Sequence, residues 1–202
     1  MIYRQPARIQ IRWIRVAVLL FVVAAIAAAV GQQSLGSSSS PGPSRTDRPR
    51  SAPPGQLGEA DGAVPADTTV FNNEVPGVAN LDPALLGALR QAATDAADDG
   101  VEFVVDSGWR SRAYQEQLLH EAVLKYGSEE EAARWVLTPN RSAHVSGDAV
   151  DIGPPEAAAW LSEHGAEYGL CQIYGNEPWH YELRPEAVAH GCPPTYFNPA
   201  ER

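Results

Sequence analysis

Apolar positions along the second half of the chain first follow a helical period and later alternate as strands do. Behind the start signal Asp82-Pro83, residues Leu85, Leu86, Leu89, Ala92, Ala93 and Ala96 line one face, and Gly100 stops the run, predicting a helix over Leu81 to Ala97. Val101 to Asp106 is a short β-rich run. The chain then turns through Ser107-Gly108-Trp109-Arg110 into a second helix capped by Ser111, with Tyr114, Leu118, Leu119 and Val123 on its buried side and Gly127 at its end. Ser128 to Glu131 has the form of a capping box opening a third helix through Ala132, Ala133, Trp135 and Val136, which Pro139 ends. Asp148 to Ile152 alternates as a strand, with Ala149 and Asp151 on one face and Val150 on the other. Pro154-Pro155 and the alanines after Glu156 start a fourth helix ending near Gly165, and Leu170 to Tyr174 and Trp179 to Leu183 read as two antiparallel strands. Helices first and a small antiparallel sheet later make an α+β fold, with no internal repeat.

The first 66 residues follow neither pattern. Arg4, Arg8, Arg12 and Arg15 precede an uncharged apolar run, Val16 to Val30, the charge order of a segment whose basic end stays in the cytoplasm. Residues 1–30 are therefore expected to be a signal anchor or a cleaved signal peptide; the alanines before Val30 suit cleavage, and either reading exports the rest of the chain. Residues 31–66, rich in Ser, Pro and Gly, have too few aliphatic side chains to offset chain entropy and are expected to be a disordered linker. Residues 67–202 remain as one domain, expected to be a monomer outside the cytoplasm, tied to the membrane or secreted.

Charge sharpens this division. Residues 1–66 carry 7 Arg against 3 acids, whereas residues 67–202 carry 8 Lys plus Arg against 22 acids, a net of −14. A domain that acidic lacks the basic footprint nucleic acid requires. Cys171 and Cys192, the only cysteines, both lie in the exported part and are expected to form one disulfide around the segment between them; two unpaired thiols are the alternative. Neither has a neighbour at the spacing of a zinc-binding cysteine pair.

The chemistry concentrates in two clusters, His144 with Asp151 and Glu177 with His180. An open tetrahedral zinc site takes three N or O ligands, and a hydrolytic one adds a base beside the water. His144, Asp151 and His180 supply the ligands for Zn2+, and Glu177 is the base that takes the water proton and returns it to the leaving amine. His144 is expected on a loop folded back over the strand of Asp151, and Trp179 is expected to fill core opposite His180. Arg110, at the mouth of a helix, is the candidate to stabilise the oxyanion. His120, His164 and His190 lack a partner motif and read as ordinary surface or helix-end residues, and Arg112 as solvent-facing.

The segments Ser107-Gly108-Trp109-Arg110-Ser111, Tyr114-Gln115, Ser142-x-His144-x-x-Gly147-x-Ala149-x-Asp151 and Glu177-x-Trp179-His180 together resemble the zinc D-alanyl-D-alanine carboxypeptidases of the vancomycin-resistance carboxypeptidase and dipeptidase type, over roughly Leu81 to Leu183. The resemblance implies the same five roles for His144, Asp151, His180, Glu177 and Arg110. It adds Ser142, Gln115 and Arg110 as residues that touch the substrate, the stem peptide of peptidoglycan, whose terminal D-Ala would be removed. Asp148 and the pair Tyr181-Glu182 depart from the family's usual residues and leave the substrate ends open. The competing readings are an L,D-carboxypeptidase or cell-wall endopeptidase on the same scaffold, and a zinc-containing wall-binding domain without turnover.

Overall fold

The computed structural model describes residues 57–202. The expected signal segment 1–30 and residues 31–56 of the expected linker lie outside the described residues. Among the described residues no helix is long and apolar enough to cross a membrane.

The elements run α1 (Pro76–Ala79), α2 (Pro83–Asp98), β1 (Val104–Ser107), α3 (Arg112–Tyr126), α4 (Glu129–Ala132), α5 (Ala143–Ser146), β2 (Ala149–Gly153), α6 (Pro155–His164), β3 (Leu170–Gln172), β4 (His180–Leu183) and α7 (Ala187–His190), with 3-10 turns at Glu59–Asp61, Gly165–Tyr168 and Pro199–Glu201. This is the expected α+β class. The four strands form one antiparallel sheet in the order β1-β2-β4-β3.

Strand alternation divides the sheet's two faces between core and chemistry. Residues directly opposite across an antiparallel pair share a face. Val150 lies opposite Tyr181, and both point into the core with Val105, Ile152 and Leu170. Helix α2 covers this face through Leu85, Leu89, Ala92 and Ala96, and α6 adds Ala157, Ala158 and Leu161. Asp82 caps α2, its carboxylate accepting from the amides of Ala84 and Leu85 at 2.9 and 3.1 Å. On the opposite face Asp151 pairs with His180 and Ala149 with Glu182, and a register shift between Val105 and Ser107 brings Ser107 opposite Asp151. Three adjacent strands thus present polar side chains in a row.

Several elements differ from expectation. The third helix is a single turn, α4, because Trp135 and Val136 leave it to line a cleft instead of continuing the pattern. Helix α3 buries Gln115 and Ala122, while Tyr114, Leu118, Leu119 and Val123 are only half-buried: the helix lies beside the cleft and not on the core. His144 sits on the short helix α5, closed by Gly147, and not on an open loop. Gly147 has φ +82°, and a Cβ there would stand 2.4 Å from the Asn80 carbonyl, so glycine alone fits. Residues 57–66, which composition assigns to the linker, carry the turn at Glu59–Asp61 and bury Gly62 against the loop after β1.

Cys171 and Cys192 form a disulfide spanning 21 positions. It closes the stretch containing Glu177 and His180, beside a small apolar cluster of Ile173, Tyr174 and Ala187. Cross-linking a loop of this length stabilises by about 3 kcal/mol, mainly by restricting the unfolded chain. Cys192→Ser should lower the unfolding free energy in urea by about 2–4 kcal/mol; a midpoint equal to that of the parent would show that the bridge constrains nothing.

Candidate metal and catalytic site

Three acceptor atoms from two strands and one short helix converge on a point. His144 Nε2 lies 3.2 Å from His180 Nδ1; Asp151 Oδ1 lies 3.2 Å from His180 Nδ1 and 3.5 Å from His144 Nε2. All three residues are buried. A tetrahedral ion with bonds of about 2.0–2.1 Å holds its ligand atoms about 3.3–3.4 Å apart, so this triangle has the edge length of such a coordination shell.

The tautomers follow from the outer nitrogens. His144 Nδ1 donates to the Gly108 carbonyl at 2.8 Å, and His180 Nε2 donates to Glu182 Oε1 at 3.3 Å. Each ring therefore turns a lone pair inward, onto a carboxylate. Acceptors packed this closely are stable only around a cation or a shared proton. The charge balance agrees. Burial and the Arg110 charge push His144 below its usual value, keeping it neutral. Burial would raise Asp151, but the imidazoles and Arg110 hold it well below the usual carboxylate range. Burial would lower His180 too, yet hydrogen bonds to Asp151 and Glu182 carry it up to about 9, so without a cation the proton resides there.

From the sequence, Glu182 has no assigned role at the site. It is 2% exposed and bound on both oxygens: Arg184 Nη2 donates to Oε2 at 2.6 Å, and Arg202 Nη1 donates to Oε1. Burial would raise its pKa, but the bonds from His180 and Arg202 bring it down to about 2, so it is a carboxylate throughout the physiological range. Its one visible signal is strand alternation, which puts it on the same face as His180.

Glu177 stands beside the triangle without joining it, Oε2 lying 3.9 Å from His180 Nδ1. It is buried, and desolvation pushes its carboxyl up to about 7, with Asp151 adding to the rise and His180 and Arg110 opposing it. That is the range of an effective proton acceptor.

Arg110 is braced more heavily than its turn suggests. Its Nε donates to Ser107 Oγ at 2.7 Å, Nη1 to Gln115 Oε1 at 3.1 Å and Nη2 to Asp151 Oδ2 at 3.0 Å. Among the described residues, two of the five guanidinium N–H donors are left over. Gln115 is itself fixed, its Nε2 donating to the Leu137 carbonyl at 2.8 Å, so its amide holds Arg110 in place as well as lining the cleft. Ser142 lines the same cleft and does not cap its own helix.

The cleft, of about 260 Å³, is walled by Leu118, Trp135, Leu137, Trp179 and Pro199, with Arg110, His144, Asp151, Glu177 and His180 facing into it. Trp179, expected in the core, is 39% exposed at its rim. The other histidines stay apart: His120 and His190 are exposed, and the His164 ring packs at a tilt against Trp160. Arg112 is exposed and bonded to Asn140.

Comparison with known proteins falls on the stretch of chain that carries this geometry. Residues 79–186 match the family described as VanY: D-alanyl-D-alanine carboxypeptidase. A D-alanyl-D-alanine carboxypeptidase of Enterococcus faecalis strain V583 is 29% identical over 143 residues, 58% of this chain and 53% of that protein. The chain thus spans about half the length of this relative. Among solved structures, VanYB in complex with D-alanine-D-alanine is 27% identical, with a TM-score of 0.51 over 55% of this chain and 74% of that one. The LdcB LD-carboxypeptidase is 23% identical, with a TM-score of 0.51 over 66% and 73%, a likeness of fold. With its site residues from Arg110 to Glu182 all inside the matched stretch, which covers more than half of the sequence, the chain belongs to the VanY D-alanyl-D-alanine carboxypeptidase family.

Proposed function

We propose that this chain is a zinc-dependent D-alanyl-D-alanine carboxypeptidase that removes the terminal D-Ala from peptidoglycan stem peptides outside the cytoplasm. The observation that carries the reading is the triangle of His144 Nε2, Asp151 Oδ1 and His180 Nδ1 with Glu177 beside it. Three N/O ligands on one side of an open cleft suit zinc, and a carboxylate held just outside them serves no purpose in a closed structural site. Likeness to VanYB, solved with D-alanine-D-alanine, supports the substrate class. Residues 1–30 would export the domain and residues 31–56 would tether it.

When bound, zinc would supply a Lewis acid that lowers the pKa of water towards ~7 and polarises the scissile carbonyl. Glu177 takes the proton from the attacking water on its carboxylate and passes it to the leaving amine nitrogen as the C–N bond breaks, so the products are a shortened peptide acid and free D-Ala. Arg110 directs its two remaining N–H groups at the carbonyl oxygen, where negative charge develops. Its bonds to Ser107, Gln115 and Asp151 fix that aim in advance, so little reorganisation is needed at the moment of reaction. Glu182 holds the His180 ring in the orientation and tautomer that binding requires. The apolar walls would exclude water around the alanine methyl groups, and Ser142, which lines the cleft, would meet the peptide backbone.

Mass spectrometry of products should show one D-Ala lost from a pentapeptide stem and none from a tetrapeptide; release from the tetrapeptide alone would make the activity L,D. Glu177→Gln should keep zinc and lose about 10²–10⁴-fold in kcat, and parental turnover would reject Glu177 as the base. In the zinc-free protein the Glu177 carboxyl should titrate near 7 by carbon-13 NMR. Since a neighbouring cation favours the ionised form, zinc should move that midpoint down, placing the acid limb of kcat/KM below 7. An unmoved midpoint would mean that zinc binds elsewhere. Glu182→Ala should weaken zinc binding about 10–100-fold in a chelator competition; unchanged affinity would leave Glu182 a purely structural acid.

A further inference from the structure

The loop carrying Arg110 is held by three consecutive backbone amides, each bonded to a different part of the chain. Trp109 N–H donates to the Gly77 carbonyl at 2.8 Å, Arg110 N–H to the His144 carbonyl at 3.1 Å and Ser111 N–H to the Asp61 carbonyl at 2.8 Å. Two of those acceptors, Asp61 and Gly77, precede the family-matched stretch 79–186. The Ser111 hydroxyl also donates to Asp61 Oδ1 at 3.3 Å while accepting from the Tyr114 amide at 3.1 Å, which ties the start of α3 to the same turn.

Gly62 explains how the chain passes so close. It is buried at φ +103°, and a Cβ there would lie 2.2 Å from the Trp109 carbonyl oxygen and 2.9 Å from Arg110 Cα. Both the backbone conformation and the space admit only glycine. The turn at Glu59–Asp61 feeds it, with Asp61 N–H bonded to the Gly58 carbonyl at 2.8 Å. A tether needs none of these contacts.

We propose that Gly58–Val64 is a strap that positions the active-site loop, with Asp61 and Gly62 as positioning residues for Arg110. The inference rests on the oxyanion role proposed for Arg110. The guanidinium lies at the end of a long side chain, so a small shift of its Cα misdirects the N–H groups left for the substrate. Three amide bonds suppress that shift; the one from Ser111 to Asp61 is made by the strap itself, and the one from Trp109 to Gly77 by α1.

The test uses the full chain in three forms: Gly62→Val, residues 58–64 replaced by a Gly/Ser segment of equal length, and Arg110→Ala. The first two should retain parental zinc affinity and KM, lose about 10²-fold in kcat on a pentapeptide stem, and exchange the Ser111 amide faster with deuterium. Arg110→Ala added to Gly62→Val should cost much less than it does in the parent, since both act on one interaction. Parental kcat in Gly62→Val, or fully additive losses, would overturn the strap. So would loss of zinc binding and folding in both strap variants, which would make the segment a general stabiliser. If Arg110→Ala alone keeps parental turnover, the role of Arg110 fails instead, and Ser111 exchange still reports whether the strap holds the loop.

Discussion

Two imidazole lone pairs and a carboxylate oxygen meet within 3.5 Å of one another on largely buried side chains, and that crowding is the constraint from which the site follows. Buried acceptors repel unless something positive sits among them. The protein accepts this arrangement because each group is locked from behind: His144 by a carbonyl, His180 by a clamped glutamate, Asp151 by an arginine. Removing any of these backings would let a ring rotate or a carboxylate turn away, and the triangle would open.

The fold supplies those backings economically. An antiparallel sheet with one face packed on α2 and α6 leaves the other face free to line up Ser107, Asp151 and His180 on adjacent strands. Helix α5 then needs only one turn to bring His144 over the sheet, and Gly147 ends it against the start of α2 through a bond from the Asp82 amide. The disulfide fastens the return segment beside Glu177, on the side of the sheet that carries no helix of the main core. Stability and chemistry thus occupy opposite faces of one small sheet.

The triangle's members are legible in the sequence because residue type and spacing are local properties. Asp151 is inward on a strand whose alternation is plain, and Glu177 and His180 stand three residues apart at the start of another. The partners that orient them lie far along the chain: Arg110 and Asp151 are 41 residues apart, Ser111 and Asp61 are 50. No periodicity reports such distances. The buried side of α3 departs from expectation for a related reason: Gln115 and Leu118 line the cleft while Tyr114, Leu119 and Val123 stay half-buried, and half-burial follows the same helical period as full burial. Trp179, expected in the core opposite His180, instead walls the cleft, and the arginines that clamp Glu182 leave no local signal in the sequence.

Whether these acceptors share one tetrahedral ion is tested most directly by titrating the metal-free protein with cobalt(II) as a spectroscopic substitute for zinc. A single equivalent should produce the intense visible absorption of four-coordinate cobalt, zinc should displace it, and alanine at His144, Asp151 or His180 should each abolish it. Weak six-coordinate absorption, or an intense band that survives in those variants, would contradict the account.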